Sequence, residues 1–570
     1  MNKKKYHVYP PVLPDLEQWP IYVLSEDRED FLEEINRFTI EKLMQKSTDD
    51  LQHQLATTLY LERIRIKEEP WKVDPPDDYA FWKKISKKLF TTPKDVQNDA
   101  EERHNYQNIL NKIVARYSEE IVGNFRISTF LFARRFLTFF FSRLLNVAAS
   151  RSWQRIFGRK HHLHDSLKVL GEVEAIRNLT QKGTVIVVPT HFSNLDSILV
   201  GYAMDAIVGL PSFSYGAGLN LYNSGIAAYF MNRLGAYRLD RRKKNDIYLE
   251  TLKAMSNLSI QRGTNSLFFP GGTRSRSGEL DSRLKLGLLG TAVEAQRALC
   301  EKEKDQKIFI VPLVMSYHFV LEAKYLIEQH LKTTGKENYA RPKDEFYSLR
   351  KISRFAWQFF SQSSEILLSF GKAMDVMGNF VDANGDSFDQ YNNKIEVADY
   401  FKSDGAVRLD AQKESEYTIL LAEKIAQRFL IENIVLSSHI VAFVAFRLLL
   451  HNNEKLDLYE ILRLPADDYS FPIGVFGAAV EKLQLILTDM AARGQLKIAY
   501  EARQSVSELI AHGIAYLGTY HQQKPLTFNK SGDIISEDFK LLYYYHNRLN
   551  SYNLHNRIRW DTFEAPFLLG

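Results

Sequence analysis

Residues 183–196 read Gly-Thr-Val-Ile-Val-Val-Pro-Thr-His-Phe-Ser-Asn-Leu-Asp. The run Gly183 to Val188 is rich in β-branched residues and bounded by turn formers, which predicts a buried strand. The strand breaks at Pro189, so His191 is expected in the loop at its carboxyl end. Ser193 is expected to cap a helix starting at Asn194, with Asp196 in its first turn. Similar apolar runs span Asn265 to Phe269 and Lys307 to Val314, with helical patterns at Ile247 to Gln261 and Leu286 to Glu301. Strands alternating with helices predict an α/β core: a mostly parallel sheet flanked by helices. Ligands of such sheets bind beyond the carboxyl ends of the strands.

Outward from this core the pattern changes. Residues 1–165 read as a helical region, with Phe31, Ile35, Phe38, Ile40 and Leu43 at helical spacing and a loop at Pro70, Pro75 and Pro76. Residues 166–330 hold the α/β pattern, and 331–570 read as mainly helical, notably Ala411 to Leu450 and Ile473 to Arg493. Phe130 to Leu145 is dense in phenylalanine and leucine. On a helix, Arg134, Arg135, Thr138, Ser142 and Arg143 form one polar stripe. Such a helix suits either a membrane interface, its arginines meeting anionic headgroups, or a core with one wet edge. Ile434 to Leu450 is apolar but interrupted by Ser437, Ser438, His439 and Arg447, which predicts a buried helix instead of a span.

The 570 residues carry a formal charge of +5, too small an excess for a dedicated nucleic-acid binder. Cys300 is the single cysteine, so no intrachain disulfide forms. Residues 1–14 carry no apolar core of signal-peptide length, and the chain is expected at the cytoplasmic side of the cell membrane, peripheral or monotopic.

Three blocks carry chemistry. His191 with Asp196 is a histidine that a carboxylate can orient, leaving one ring nitrogen to take a proton from an alcohol. Alone, the same pair reads more readily as a helix cap beside an incidental histidine. Arg238 and Arg241 to Lys244 form a basic run, suited to phosphate or simply to water. Phe268 to Gly278 (Phe-Phe-Pro-Gly-Gly-Thr-Arg-Ser-Arg-Ser-Gly) turns a strand into a glycine-rich loop, where backbone amides with Arg274 and Arg276 can hold an anion. Lys285 follows it.

His191-x-Ser193-x-x-Asp196, Gly235-x5-Arg241, Phe269-Pro270-x-Gly272-Thr273-Arg274-Ser275 and Val311-Pro312-Leu313 together resemble, in order, the glycerolipid acyltransferases with the His-x4-Asp signature. The likeness is strongest to the bacterial membrane glycerol-3-phosphate acyltransferases. Gly218-Leu-Asn220-Leu221 looks like that family's Gly-Asp-Asn-Leu, and Lys285-x-Gly287 like its Lys-x-Gly. Val435 to His439 and Tyr544-Tyr545-x-Asn547 are similar to its C-terminal region.

The resemblance implies an acyltransferase core between helical N- and C-terminal domains. It implies acylation of glycerol 3-phosphate, with lysophosphatidate acylation or a silent lipid-binding homologue as alternatives. His191 would be the general base and Asp196 its orienting carboxylate. Arg241, Arg274, Arg276 and Lys285 would hold the phosphate, Gly272 and Thr273 would shape its pocket, and Pro312 would close the acyl side. The donor would be acyl-CoA or acyl carrier protein; membrane lipids are the expected partner, and no metal or other cofactor is implied. One position departs: Gly271 stands where the family usually has glutamate.

Overall fold

Seven strands form the central sheet of the computed structural model, which describes residues 8–71, 73–91, 99–149, 167–219, 225–335 and 365–563. They are β1 (Leu167–Gly171), β2 (Gly183–Pro189), β3 (Ser214–Gly218), β4 (Ala236–Leu239), β5 (Ser266–Leu267), β6 (Lys307–Tyr317) and β7 (Ile366–Phe370). The spatial order is β1-β7-β6-β2-β5-β3-β4. All neighbours run parallel except β6 and β7. Helices cover the sheet, as parallel strands buried on both faces require. Val185 to Val188 are fully buried, which is why this strand reads as one unbroken apolar run.

The order departs from the sequence reading at two places. β6 continues past Val314 to Tyr317, because its second half pairs with β7. β7 itself comes from beyond residue 330 and slots between β1 and β6. The sheet is therefore completed by a strand from the segment expected to be helical. The stretch expected to be helical, Ala411 to Leu450, holds two helices, Ala411–Glu432 and Ser437–Asn452, parted by the short strand Ile434–Val435. The second of these is buried along nearly its whole length. Among the described residues no helix is long and apolar enough to cross a membrane.

Helices Arg28–Leu43, Thr48–Glu68, Asp78–Thr91 and Asp99–Ile121 form an N-terminal bundle whose core is shared with the helix Asp246–Gln261. Buried ionic contacts join the two. Arg65 pairs with Glu62 at 2.7 Å and with Asp78, and Arg242 pairs with Asp240 at 2.7 Å and with Asp74. Lys243 reaches Glu120. Buried charges require such partners, and here they fasten the bundle to the loop after β4.

The helix Ile127–Ala149 carries the Phe-rich stretch. Arg134 pairs with Asp205 at 3.1 Å, and Thr138 approaches the hydroxyl of Tyr202 at 3.5 Å, so these two residues of the polar stripe meet helix Asp196–Ala206. Phe132, Phe136 and Phe139 point outward, 57%, 53% and 63% exposed, with Arg135 beside them. The side chains of Phe140 to Arg143 lie outside the described residues, as do Asn220 and Leu221.

Candidate functional site

Parallel pairing of β2 with β5, and of β5 with β3, brings three loops to one edge of the sheet at the strands' carboxyl ends. The loop after β2 carries His191. The loop after β5 carries Phe269 to Arg276, and the loop after β4 begins at Asp240. A backbone hydrogen bond of 2.8 Å from the Ser275 amide to the His191 carbonyl ties the first two together. The His191 ring stacks on Phe269, with centroids 4.1 Å apart.

His191 Nδ1 lies 2.9 Å from Asp196 Oδ2. The same oxygen accepts the backbone amides of Phe192 at 2.7 Å and Ser193 at 2.9 Å. The helix starts at Asp196, two residues later than the sequence reading placed it, and Ser193 is not its cap. Asp196 is fully buried, and its carboxylate folds the loop back on itself to present the histidine. With Nδ1 engaged by a carboxylate, Nε2 is the nitrogen available for proton transfer.

Two groups that no local motif announced complete this arrangement. Tyr317, at the end of β6, donates its hydroxyl to Asp196 Oδ1. Burial and the neighbouring carboxylate push the phenol pKa far up, so Tyr317 is a donor at any physiological pH. Glu322 accepts from Ser193 Oγ and from the Asn194 amide, each at 3.0 Å, and pairs with Arg274 at 3.4 Å. Burial raises the Glu322 pKa, and Arg274 pulls against that rise. Arg274 therefore braces the histidine loop and is only partly available to an anion.

The remaining expected anion-binding groups separate into two kinds. Arg241 is exposed and donates to the Gly272 carbonyl. Arg276 and Lys285 are exposed on the same loop and its exit, and Thr273 is exposed between them. Gly272 has φ +77°, a conformation that side chains rarely adopt, and it packs on the Lys285 stem. By contrast Arg242 and Lys243 are consumed by the ionic contacts to the N-terminal bundle, and they are structural. Pro312 is a member of the sheet. It is buried inside β6 opposite Val188, its carbonyl accepting the Gly371 amide.

Gly271 has a specific neighbour. A Cβ at this position would lie 2.6 Å from Asp281 Oδ2. That oxygen is shielded from solvent and has no hydrogen-bond partner in the protein. Burial pushes the Asp281 pKa up to about 7, partly opposed by Arg548. Asp281 thus puts a carboxyl group into the space that a residue-271 side chain would occupy.

The C-terminal segment holds the site from behind. Asn547 donates to the Ser277 carbonyl at 2.9 Å, and Asn550 to Glu279 at 2.7 Å. Gly278, at φ +87°, lies against the Tyr544 carbonyl, where a Cβ would come within 2.1 Å. The buried Arg548 guanidinium lies 4.3 Å from the Phe192 ring centroid and donates to the Met315 carbonyl at 2.7 Å. His439 Nε2 lies 3.2 Å from the Tyr317 carbonyl.

With this geometry in place, residues 171–316 match the family described as Acyltransferase. More particularly, the chain is similar to glycerol-3-phosphate acyltransferases. That of Ectopseudomonas mendocina (strain ymp) is 26% identical over 318 residues, 55% of this chain and 34% of the relative. That of Alteromonas mediterranea is 27% identical over 256 residues, 44% and 28% of the two chains. That of Pseudoalteromonas translucida is 29% identical over 234 residues, 41% and 24%. The chain spans about a third or less of the length of the curated relatives it matches.

Proposed function

We propose that this chain transfers a fatty acyl group from a thioester to glycerol 3-phosphate, releasing lysophosphatidate and a thiol. The observation that carries the reading is the buried Asp196 carboxylate, which engages His191 Nδ1 and the Tyr317 hydroxyl at once, beside the loop bearing Arg274 and Arg276. The acceptor hydroxyl attacks the thioester carbonyl while His191 Nε2 takes its proton. The tetrahedral intermediate then collapses, the carbon–sulfur bond breaks, and the proton passes from His191 to the departing thiolate. Arg241, Arg276 and Lys285 hold the acceptor phosphate, charge-assisted contacts being the strong ones. Arg274 contributes from its place on Glu322 and keeps the two loops in register. Pairing with Asp196 keeps the imidazolium that forms during transfer beside a carboxylate.

The outward Phe132, Phe136 and Phe139 bring the site to a membrane surface, where aromatic side chains enter the interface and Arg135 meets anionic headgroups. The relatives are named as glycerol-3-phosphate acyltransferases, which supports the choice of acceptor. Purified protein in lipid, given a palmitoyl thioester, is expected to acylate glycerol 3-phosphate and not lysophosphatidate. Product from lysophosphatidate alone would replace the acceptor assignment and leave the His191 chemistry standing. No product from either acceptor, with folded protein, would overturn the reading.

A further inference from the structure

Two cavities lie side by side along the helix Thr48–Glu68. The inner one, about 360 Å³, is lined by Leu61, Trp71, Leu219, Leu239 and Arg241 among others. The outer one, about 410 Å³, includes Lys46, His53, Gln54 and Thr58 in its lining. Leu61 and Lys244 line both, so the two adjoin along one groove-shaped face of the helix. Its inner end reaches Arg241, which contacts Gly272 in the loop beside His191.

Gln54, Thr58 and Leu61 follow at helical spacing and share one face of their helix. Gln54 is only 6% exposed and Thr58 is fully buried. Neither atom of the Gln54 amide, nor the Thr58 hydroxyl oxygen, has a hydrogen-bond partner in the protein. A buried polar group left unbonded is costly, and native proteins satisfy nearly all such groups. A side-chain amide offers both donor and acceptor, and so complements the peptide-like amide of an extended ligand. Apolar Leu61, Leu219, Leu239 and the Trp71 ring suit the methylene segments between such amides. Lys46 and Lys244 place ammonium groups along the outer cavity, with Asp50 and Asp246 also in its lining.

We propose that this groove holds the phosphopantetheine arm of the acyl thioester donor. Gln54 and Thr58 bond its amides, Lys46 and Lys244 lie near its phosphate, and the thioester is directed past Arg241 toward His191. The assignment rests on the acyl-transfer reading above. The arm is common to coenzyme A and to acyl carrier protein, and both donors belong in the test.

The variants are Gln54→Leu and, separately, Thr58→Val, near-isosteric changes in the full chain. Binding of coenzyme A is measured by calorimetry, and transfer with palmitoyl-CoA and with palmitoyl acyl carrier protein. In Gln54→Leu, coenzyme A binding is expected to weaken and the donor KM to rise, each about tenfold, the loss of one or two neutral hydrogen bonds. kcat and the KM for glycerol 3-phosphate should hold. A rise for one donor alone supports the groove and identifies the source of the arm. A folded Gln54→Leu with unchanged donor KM and unchanged coenzyme A affinity overturns the assignment, as does a rise confined to the acceptor KM. Should the wild type transfer no acyl group, the acyl-transfer reading fails, and calorimetry alone decides the groove. Affinity for coenzyme A that Gln54→Leu diminishes keeps it, and absent or unaltered affinity ends it.

Discussion

The Tyr317 hydroxyl donates to Oδ1 of Asp196, the oxygen that His191 leaves unused. A carboxylate bonded at both oxygens cannot rotate, so the imidazole it holds is fixed in one plane. Removing that hydroxyl should loosen the histidine without touching substrate. Tyr317→Phe is expected to lower kcat about tenfold, the loss of one charge-assisted hydrogen bond, with KM values unchanged. Steady-state kinetics with both substrates varied check this, and an equal change in KM would assign Tyr317 to binding.

His191→Ala should lower kcat by about 10²–10⁴, the range general-base catalysis contributes. Binding of glycerol 3-phosphate, followed calorimetrically, should persist, because the proposed phosphate contacts lie in the loop after β5 and at Arg241. A variant that turns over at the wild-type rate would remove the histidine from the mechanism.

Gly271 and Asp281 should behave as a coupled pair. Gly271→Glu forces a side chain to within 2.6 Å of the Asp281 carboxyl and is expected to impair both folding and activity. In the Asp281→Ala background the same substitution should be tolerated. A double-mutant cycle on thermal stability and transfer rate measures the coupling, expected at 1 kcal/mol or more for residues in contact, on the order of what such cycles give. Additive effects would separate the two positions.

Asp281 also sets a pH dependence. Its pKa is raised from 3.8 to about 7 by burial, so the unfolded chain releases this proton at lower pH than the folded one. The contribution to stability is present below about pH 4 and is lost as pH rises toward 7. Asp281→Asn removes the penalty and should raise stability at pH 8 by on the order of 2–4 kcal/mol, with little change at pH 4. Chemical denaturation at the two pH values tests the sign.

Serine at Phe132, Phe136 and Phe139 together should release the protein from phosphatidylglycerol-containing vesicles. These rings are more than half exposed, so the fold should survive. Vesicle sedimentation reads the result, and unchanged co-sedimentation of the folded variant would move membrane attachment elsewhere.

The histidine, its aspartate and the glycine-rich loop were legible in the sequence because each lies within a few residues of a strand end, where local pattern decides placement. Tyr317, Glu322, Asp281 and Arg548 were not, since they reach the loops only through sheet pairing and through the C-terminal segment. The basic run misled in part for the same reason. Only the fold reveals that Arg242 and Lys243 turn toward Asp74 and Glu120 while Arg241 turns toward Gly272. In the Phe-rich helix, Arg134 of the polar stripe pairs with Asp205, a partner that periodicity does not supply.

The placement of β7 governs how this sheet can be assembled and how it can be divided. A ribosome releases β1 long before the strand that must lie next to it, and until Ile366–Phe370 emerges, the flanks of β1 and β6 have no mate. The nascent chain therefore carries two unpaired sheet edges for much of its synthesis, a state that invites association with other chains and favours assistance from chaperones. A fragment cut at residue 330 would keep those edges permanently. Any minimal catalytic unit must instead run through Phe370, and a segment lying outside the residues matched to the family is thereby as necessary to the sheet as the strand that bears the histidine loop.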